Sequence, residues 1–553
     1  MSILSRVVGW YFRLPPAETH DVGVQRNLGA PMPDGVTLLA DRYYPRRGGL
    51  APLILVRSPY GRAGSLGLVF GRTFAERGFQ VLIQSCRGTF GSGGTFDAFR
   101  NEQADGLATL TWLKQQPWYP GAFATLGPSY LGFVQWAIAA EAGPDLKALA
   151  PQITASELRS QNYPGESFSL DTALTWIQLV AYQEDSGRVS LSGQSRLRAM
   201  LEQARFHLPL AEADVSAVGK PVSYYRDWLE HNLAGDRWWN AVDFSRDVAR
   251  VQAPVHLLGG WYDIFLPQLI EDYERLRRAG RRPYLTIGPW AHTSLGLISE
   301  SLRQSLAWFR AHLLDDHSGL RPASVRVFVM GAGRWRDFET WPPDGFTPAG
   351  LRWHLQGGGG LSPASPAASQ PDRYRYDPAN PTPSVGGSSL SVDSGPQDNR
   401  NVEGRPDVLC YTSPPLKDAL EVIGPVSAEL YASSSLDHTD FFVRLCDVQP
   451  SGRSINVCDG LVRLAPGPGY PGPGVSWPGG IRRVRIELWP TAYRFRSGHR
   501  LRVQVSSGAH PRFARNPGSG EPLATATRLL PADQAIYHDP NHPSAIILPI
   551  IEK

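Results

Sequence analysis

The chain has 553 residues, more than one hydrophobic core can organise. Of these residues 42% are hydrophobic and 19% charged, a composition that excludes a disordered protein. Its net charge of +4 is small and its basic residues are scattered, so neither nucleic acid nor an anionic membrane is indicated as a partner. The four cysteines are too few for a disulfide framework, and we expect free buried thiols, although Cys446 and Cys458 could meet across neighbouring strands. There is no apolar run of about 18 residues and no signal-peptide pattern, so the expected location is the cytoplasm.

Strand patterns alternate with helical patterns over the first 155 residues, and two of them, Leu53–Val56 and Val81–Ile83, are short and almost wholly apolar. Such segments are typical of strands that are buried on both faces of a parallel sheet. Their alternation with helices predicts a doubly wound α/β sheet. The predicted strands are Val36–Tyr44, Leu53–Val56, Val81–Ile83, Phe123–Leu126 and Ala148–Ile153, and the predicted helices are Phe74–Arg77, Glu102–Gln115 and Phe133–Ala140.

Helical patterns with few strand signals follow, which is typical of a cap inserted over an α/β active site. Strands and helices then alternate again. We therefore predict one discontinuous α/β domain, residues 1–155 and 245–320, interrupted by a helical cap, residues 156–244. The cap helices are predicted at Leu170–Tyr182, Ser195–Phe206 and Tyr224–Asn232, and the later strands and helices at Val255–Gly259, Leu266–Ala279, Tyr284–Ile287 and Leu302–Leu314.

From Val325 onward the apolar residues recur every second position, between turns rich in Gly, Pro and Asp. Many short strands without intervening helices indicate a β sandwich of the jelly-roll type, residues 321–553. The predicted strands are Val325–Met330, Arg352–Leu355, Ala428–Ala432, Phe441–Asp447, Asn456–Leu464, Arg483–Leu488 and Leu501–Ser506.

The first candidate functional residue is Ser129, in Gly127-Pro128-Ser129-Tyr130-Leu131-Gly132. A serine on a tight turn between a strand and a helix is the layout of a nucleophile elbow. The second glycine of that motif is one position late here, and an ordinary glycine-flanked turn is the alternative interpretation.

Asp263 and His292 come in the order that an α/β-hydrolase requires, which is serine, acid and then histidine. Each follows a predicted strand, in Gly260-Trp261-Tyr262-Asp263 and in Gly288-Pro289-Trp290-Ala291-His292. A serine hydroxyl needs an adjacent base, and the base needs an orienting acid. The combination predicts a Ser129–His292–Asp263 triad.

An acyl-transfer site also needs hydrogen-bond donors for the oxyanion. One is expected to be the backbone N–H of Tyr130. The Tyr60 phenol, in Arg57-Ser58-Pro59-Tyr60-Gly61 after an early strand, is the candidate for the second. A turn tyrosine packed on Pro59 is the alternative for Tyr60.

The joint pattern resembles the CocE/NonD family of serine hydrolases, which includes bacterial cocaine esterase, α-amino-acid ester hydrolases and X-Pro dipeptidyl-peptidases. The elbow of that family is Gly-x-Ser-Tyr-x-Gly, which accounts for the late glycine. The matching segments span nearly the whole chain: MPDGVTLLADRYYP, VRSPYG, SCRGTFGSGGTFDAF, GPSYLGFVQWAIAA, GGWYDIF, IGPWAH and DHTDFFVRLCDV.

The resemblance implies an α/β-hydrolase domain, a helical cap and a C-terminal jelly-roll. It implies that Ser129 is the nucleophile, His292 the general base and then acid, and Asp263 the residue that orients the imidazole. Tyr60 and the Tyr130 amide would bind the oxyanion. By position, Trp176, Phe265 and Tyr163 are similar to the aromatic lining of the acyl pocket in the esterase branch.

The branches of the family differ just after the triad aspartate, where amino-ester hydrolases carry acids that bind a substrate ammonium. This chain has Ile264, Phe265 and Leu266 there, and an apolar wall cannot compensate for the desolvation of an amine. We therefore expect a serine carboxylesterase for neutral or aromatic acyl esters, with an acyl-enzyme intermediate and no cofactor or metal. An amidase or X-Pro dipeptidyl-peptidase, or a catalytically silent binding protein, are the alternatives. The expected partner is a small-molecule ester, and the jelly-roll offers surface for homo-oligomers.

Overall fold

The computed structural model describes residues 3–185, 191–345, 350–466 and 480–550. Within these ranges no helix is both long and apolar enough to cross a bilayer. Residue contacts divide the chain into two units. Unit 1 comprises Met1–Leu158, Asn240–Gly260 and Gln268–Val325, and unit 2 comprises Arg159–Trp239, Trp261–Pro267 and Arg326–Lys553.

The first sheet consists of β1 (Val22–Pro31), β2 (Thr37–Pro45), β3 (Leu53–Ser58), β4 (Gln80–Ser85), β5 (Phe123–Pro128), β6 (Leu146–Gln152), β7 (His256–Tyr262), β8 (Tyr284–Ala291), β9 (Val325–Val329) and β10 (Arg334–Phe338). Their order is β1-β2-β4-β3-β5-β6-β7-β8-β9-β10. The pairs β4–β3, β3–β5, β5–β6 and β6–β7 are parallel, whereas β1 and β2 are antiparallel to each other. Every residue of β3 and β4 is buried, as strands with helices on both faces require.

The α-helices are α1 (Ile3–Tyr11), α2 (Gly64–Leu66), α3 (Thr73–Ala75), α4 (Glu102–Lys114), α5 (Tyr130–Ala139), α6 (Arg159–Asn162), α7 (Leu170–Tyr182), α8 (Leu191–Phe206), α9 (Ala213–Val218), α10 (Ser223–Glu230), α11 (Leu266–Arg278), α12 (Leu295–Leu314) and α13 (Arg400–Glu403). Helix α5 is buried at every position. Its one long polar side chain, Gln135, donates to the carbonyls of Gly127 and Leu131 and accepts a hydrogen bond from Thr125 at 2.9 Å. These bonds satisfy the buried amide and tie α5 to β5.

The second sheet lies in unit 2 and is mainly antiparallel. In the described residues its order is β13-β20-β15-β22-β11-β12-β14-β19-β16-β17, with β18 paired to β15 and β21 to β20. Its strands are β11 (Leu351–Gln356), β12 (Gly360–Ser362), β13 (Asp372–Tyr376), β14 (Leu409–Thr412), β15 (Leu420–Ser434), β16 (Thr439–Val448), β17 (Ser454–Leu464), β18 (Arg482–Phe495), β19 (Arg500–Ser506), β20 (Ala532–Asp539), β21 (His542–Pro543) and β22 (Ala545–Leu548).

This architecture confirms the predicted fold class of an α/β-hydrolase sheet with a C-terminal jelly-roll. One predicted strand belongs to a different sheet, because Val325–Met330 was expected among the C-terminal strands whereas β9 extends the first sheet. Alternate residues of β9 are buried, and this two-residue period is the same in both settings. The period therefore could not assign the strand to a sheet.

All four cysteines are free thiols, as predicted; Cys86, Cys446 and Cys458 are also buried as expected, whereas Cys410 is partly exposed. On the paired strands β16 and β17, Cys446 lies opposite Asn456 and Cys458 lies opposite Leu445. The two thiols are therefore not direct cross-strand partners.

Candidate active site

Ser129 occupies the turn between β5 and α5, with backbone angles of φ 57° and ψ −125°. A non-glycine residue rarely adopts a positive φ, and such strain persists only where neighbouring groups hold it. Two hydrogen bonds hold it here: the Ser129 N–H donates to the Gln152 carbonyl at 2.8 Å, and the Thr154 hydroxyl donates to the Ser129 carbonyl at 2.8 Å. The turn has the geometry of a nucleophile elbow.

The two glycines of the motif are required by close contacts around this turn. A Cβ on Gly127, which has φ 153°, would lie 2.3 Å from the Leu131 Cβ. A Cβ on Gly132 would lie 2.5 Å from the Thr154 methyl carbon. The late glycine therefore provides room for Thr154, whose hydroxyl bonds the serine carbonyl.

His292 directly follows β8, which continues to Ala291, four residues beyond its predicted end. Its Nε2 lies 3.1 Å from the Ser129 Oγ. The turn after the strand is closed by the Ala291 N–H, which donates to the Ser294 hydroxyl at 3.0 Å. A half-buried imidazole is thus in hydrogen-bond contact with the elbow serine, the geometry that a general base requires.

Asp263 directly follows β7, the strand next to β8 in the sheet. Its side chain is almost completely buried, and its Oδ1 accepts the backbone N–H of Phe265 at 2.8 Å. This local bond fixes the carboxylate at the start of the loop. Asp263 and His292 thus each directly follow a strand, as the sequence predicted.

Tyr60 and Tyr130, the predicted oxyanion donors, both lie in unit 1. Tyr60 follows β3, and its N–H donates to the Ser58 hydroxyl at 3.0 Å. Tyr130 is the first residue of α5, directly after Ser129. The two rings meet edge to face, with centroids 6.4 Å apart.

Of the predicted pocket residues, Trp176 lies on α7, and its half-buried ring packs on Tyr224 and Trp228 with centroid distances of 5.9 and 6.0 Å. Tyr163 is buried, and its hydroxyl donates to the Trp228 carbonyl at 2.7 Å. Phe265 is buried in the loop after Asp263. Their contact with a substrate remains a prediction.

Sequence reasoning missed the polar layer around Tyr130. Glu102 and Asp105 lie in the first turn of α4, where acids favour a helix N-terminus, but both side chains are buried and bind arginines: Glu102 binds Arg57 and Asp105 binds Arg87. The available signal was the pair of arginines that follow predicted buried strands, Arg57 directly and Arg87 four residues later, because an arginine that is largely removed from water needs a carboxylate nearby.

Within the described ranges, no group of three His, Cys, Asp or Glu side chains is arranged to hold a metal ion.

A known enzyme is similar to this chain over nearly its whole length. A cocaine esterase from Rhodococcus sp. (strain MB1 Bresler) is 35% identical over 571 aligned positions, which cover 96% of this chain and 99% of the esterase. The chain belongs to the CocE/NonD family of serine hydrolases. It is therefore an enzyme of the serine-esterase type, which confirms the family and enzyme class expected from the sequence.

Two family models match successive parts of the chain, and a further relative matches nearly all of it. Residues 34–294 match the X-Pro dipeptidyl-peptidase (S15 family) model, and residues 319–547 match the X-Pro dipeptidyl-peptidase C-terminal non-catalytic domain. A putative serine esterase of Mycobacterium bovis is 26% identical over 94% of each chain.

Solved structures show the same fold. An aminopeptidase from a marine sediment archaeon, Thaumarchaeota archaeon, superposes with a TM-score of 0.80 at 22% identity, covering 97% of this chain and 98% of that one. An alpha-amino acid ester hydrolase gives a TM-score of 0.78 at 23% identity, with the same coverage.

Proposed function

We propose that this CocE/NonD hydrolase is a carboxylesterase that works through an acyl-enzyme at Ser129. The observation that carries the proposal is the 3.1 Å contact between Ser129 Oγ and His292 Nε2, made by a serine on a strained elbow. His292 acts as the base, and Asp263 orients its imidazole. The Tyr60 phenol and the Tyr130 N–H bind the oxyanion.

The chemistry follows from these assignments. Ser129 Oγ attacks the ester carbonyl while His292 takes its proton, and the carbonyl oxygen becomes an oxyanion held by two donors. The intermediate collapses, the ester C–O bond breaks, and His292 protonates the leaving alkoxide. Water then attacks the acyl-enzyme, His292 takes the proton of the water, and the acid leaves as Ser129 regains its hydrogen.

The substrate class is proposed from the residues that follow Asp263. Ile264, Phe265 and Leu266 are all buried and apolar, so they offer no carboxylate to a substrate ammonium. Burying an unpaired ammonium is strongly unfavourable. We therefore propose neutral or aromatic acyl esters, with Trp176, Phe265 and Tyr163 as the acyl-pocket residues. The Rhodococcus relative is named an esterase, which supports ester over amide substrates.

The test of the nucleophile is hydrolysis of p-nitrophenyl butyrate by the wild type and by Ser129→Ala. Ser245→Ala, a half-buried serine elsewhere in unit 1, is the matched control. We expect turnover by the wild type and by the control and none by Ser129→Ala. Equal turnover by all three proteins would remove Ser129 from the mechanism, and no turnover by the wild type would favour the silent binding protein.

A second candidate function is that of an X-Pro dipeptidyl-peptidase, favoured by the family model that residues 34–294 match. Phenyl benzoate and glycyl-prolyl p-nitroanilide separate the two functions, because only the second carries a free amine. We expect kcat/KM to be at least about 100-fold higher for the ester. A preference for the anilide would reverse the assignment.

The remaining expectations from the sequence are a small-molecule ester as partner, no cofactor, self-association through the jelly-roll and a cytoplasmic location. These stay predictions.

A further inference from the structure

Glu102 is a buried carboxylate that the proposed mechanism does not use. It lies in the first turn of α4, and its side chain is only 4% exposed. Its Oε1 accepts the Tyr130 hydroxyl at 2.7 Å, and its Oε2 lies 2.8 Å from Arg57 Nη2 and 3.6 Å from Cys86 Sγ. Burying a carboxylate is costly in free energy. The number of partners that this carboxylate has indicates that the fold holds it in a specific position.

The first partner, Tyr130, supplies a proposed oxyanion donor through its backbone. Its hydroxyl donates to Glu102 and accepts the Phe99 N–H at 2.9 Å, while the Phe99 ring stacks on it with centroids 4.3 Å apart. Burial and the negative charge of Glu102 raise the pKa of Tyr130 well above its usual value, so the phenol remains a donor. The Tyr130 ring is thus held by stacking on Phe99 and by hydrogen bonds at its hydroxyl, which restrict the movement of Tyr130 at the start of α5.

The second partner, Arg57, lies on β3 three residues before Tyr60. Its buried guanidinium also donates to the Glu102 carbonyl at 2.8 Å and to the Gln84 side chain at 3.0 Å. The strand that leads into Tyr60 is thus tied to the same carboxylate as Tyr130. The Tyr60 ring then lies edge-on against the Tyr130 ring.

We propose that Glu102 is a positioning residue that fixes both oxyanion donors, the Tyr130 amide through the Tyr130 phenol and the Tyr60 phenol through Arg57. One carboxylate links two chain segments that are far apart in sequence and whose donors must keep their relative positions to within about 0.5 Å. A displacement of about 1 Å at such a site costs roughly 100-fold in rate. The inference rests on the proposed function, since it assumes that these donors bind an oxyanion.

The competing explanation is that the Glu102–Arg57 pair only stabilises the fold. A structural role lowers the unfolding temperature but leaves kcat unchanged in the molecules that remain folded. A positioning role lowers kcat, leaves KM nearly unchanged, and weakens the binding of a tetrahedral analogue in parallel, because the donors act mainly on the transition state.

The test compares Tyr130→Phe and Glu102→Gln with the wild type, using p-nitrophenyl butyrate for turnover and phenylboronic acid as the analogue. The Ser129 oxygen adds to boron as its proton leaves to His292, and the resulting tetrahedral anion presents an oxygen to the donors. Tyr119→Phe is the matched control, because the Tyr119 phenol also donates to a carboxylate, Asp145, at 2.9 Å, but lies before β5 rather than after it.

We expect Tyr130→Phe and Glu102→Gln to lower kcat about 10-fold or more, to raise the inhibition constant of phenylboronic acid by a similar factor and to change KM less than about twofold. Tyr119→Phe should match the wild type in kcat, in KM and in the inhibition constant of phenylboronic acid. Circular dichroism at the assay temperature verifies folding, and if Glu102→Gln does not fold, Tyr130→Phe decides alone.

Folded Tyr130→Phe with wild-type kcat and wild-type inhibition would overturn the inference. If Ser129→Ala still abolishes turnover in the same experiment, the proposed function stands without it. If turnover survives Ser129→Ala, the proposed function fails and the inference fails with it.

Discussion

Ser129 Oγ and His292 Nε2 lie 3.1 Å apart, although 163 positions separate the two residues in the chain. The fold creates this contact, because one residue follows β5 and the other follows β8 of the same sheet. At this distance the imidazole can take the serine proton as the oxygen attacks.

Replacing Asp263 by Asn should lower kcat about 10⁴-fold, because an amide favours the wrong imidazole tautomer and does not stabilise the imidazolium. Steady-state hydrolysis of p-nitrophenyl butyrate measures the effect. Asp243→Asn is the matched control, since Asp243 accepts the N–H two residues later, as Asp263 does, but is exposed in unit 1. A loss below about tenfold in Asp263→Asn would mean that another acid orients His292.

Replacing Tyr60 by Phe should lower kcat about 10²–10³-fold with little change in KM, because removing one oxyanion donor acts on the transition state. The ring and its edge-to-face contact with Tyr130 are retained. The alternative from the sequence, a tyrosine that only packs in its turn, gives wild-type kcat in the same assay.

The sequence predicted strands β2 to β8, the strand–turn–helix around Ser129 and the positions of Asp263 and His292 after strands, because each depends on local pattern. Buried parallel strands are short apolar runs that can be recognised in the sequence. The residues that follow them can then be located without knowledge of contacts between distant parts of the chain. Strand β1 was missed because its centre, Gln25 to Asn27, is polar and exposed, as expected at the edge of a sheet. Glu102 was missed as a site residue because its role depends on Arg57 and Tyr130, which only the folded chain brings to it.

Replacing Gly132 by Ala should disturb the elbow, because the added Cβ would lie 2.5 Å from the methyl group of Thr154. We expect a loss of about 1–3 kcal/mol in the free energy of unfolding and a lower kcat. Gly49→Ala adds the same methyl group where no atom lies within 4 Å and is the control. Urea unfolding and ester turnover provide the two measurements, and a fully active Gly132→Ala of wild-type stability would contradict this packing.

The stability of the fold should fall in mild acid because of His510, a buried histidine of unit 2. Burial, together with the charges of Arg515 and Arg205, lowers the pKa of its imidazole to about 3. The folded state therefore favours the neutral imidazole. Above a pH of about 6.5, the pKa of the imidazole in the unfolded chain, the stability of the fold is at its full value. As the pH falls from there towards 3, the unfolded chain takes up the proton more readily than the folded one, and the free energy of unfolding decreases. The expected loss between pH 6.5 and pH 4 is on the order of 3 kcal/mol.

Urea unfolding as a function of pH measures this loss. The variant His510→Gln removes the titrating group, so its free energy of unfolding should depend less steeply on pH over the same range. Identical pH slopes for the wild type and the variant would show that His510 does not carry the effect.

The most direct test of the central claim is to map the site of covalent reaction. A fluorophosphonate forms a bond from phosphorus to the activated serine oxygen and loses fluoride, so peptide mass spectrometry identifies the nucleophile. We predict one adduct per chain, on Ser129, with labelling absent in Ser129→Ala and slowed about 10³-fold or more in His292→Ala. An adduct on another serine, or undiminished labelling of Ser129→Ala, would contradict the account.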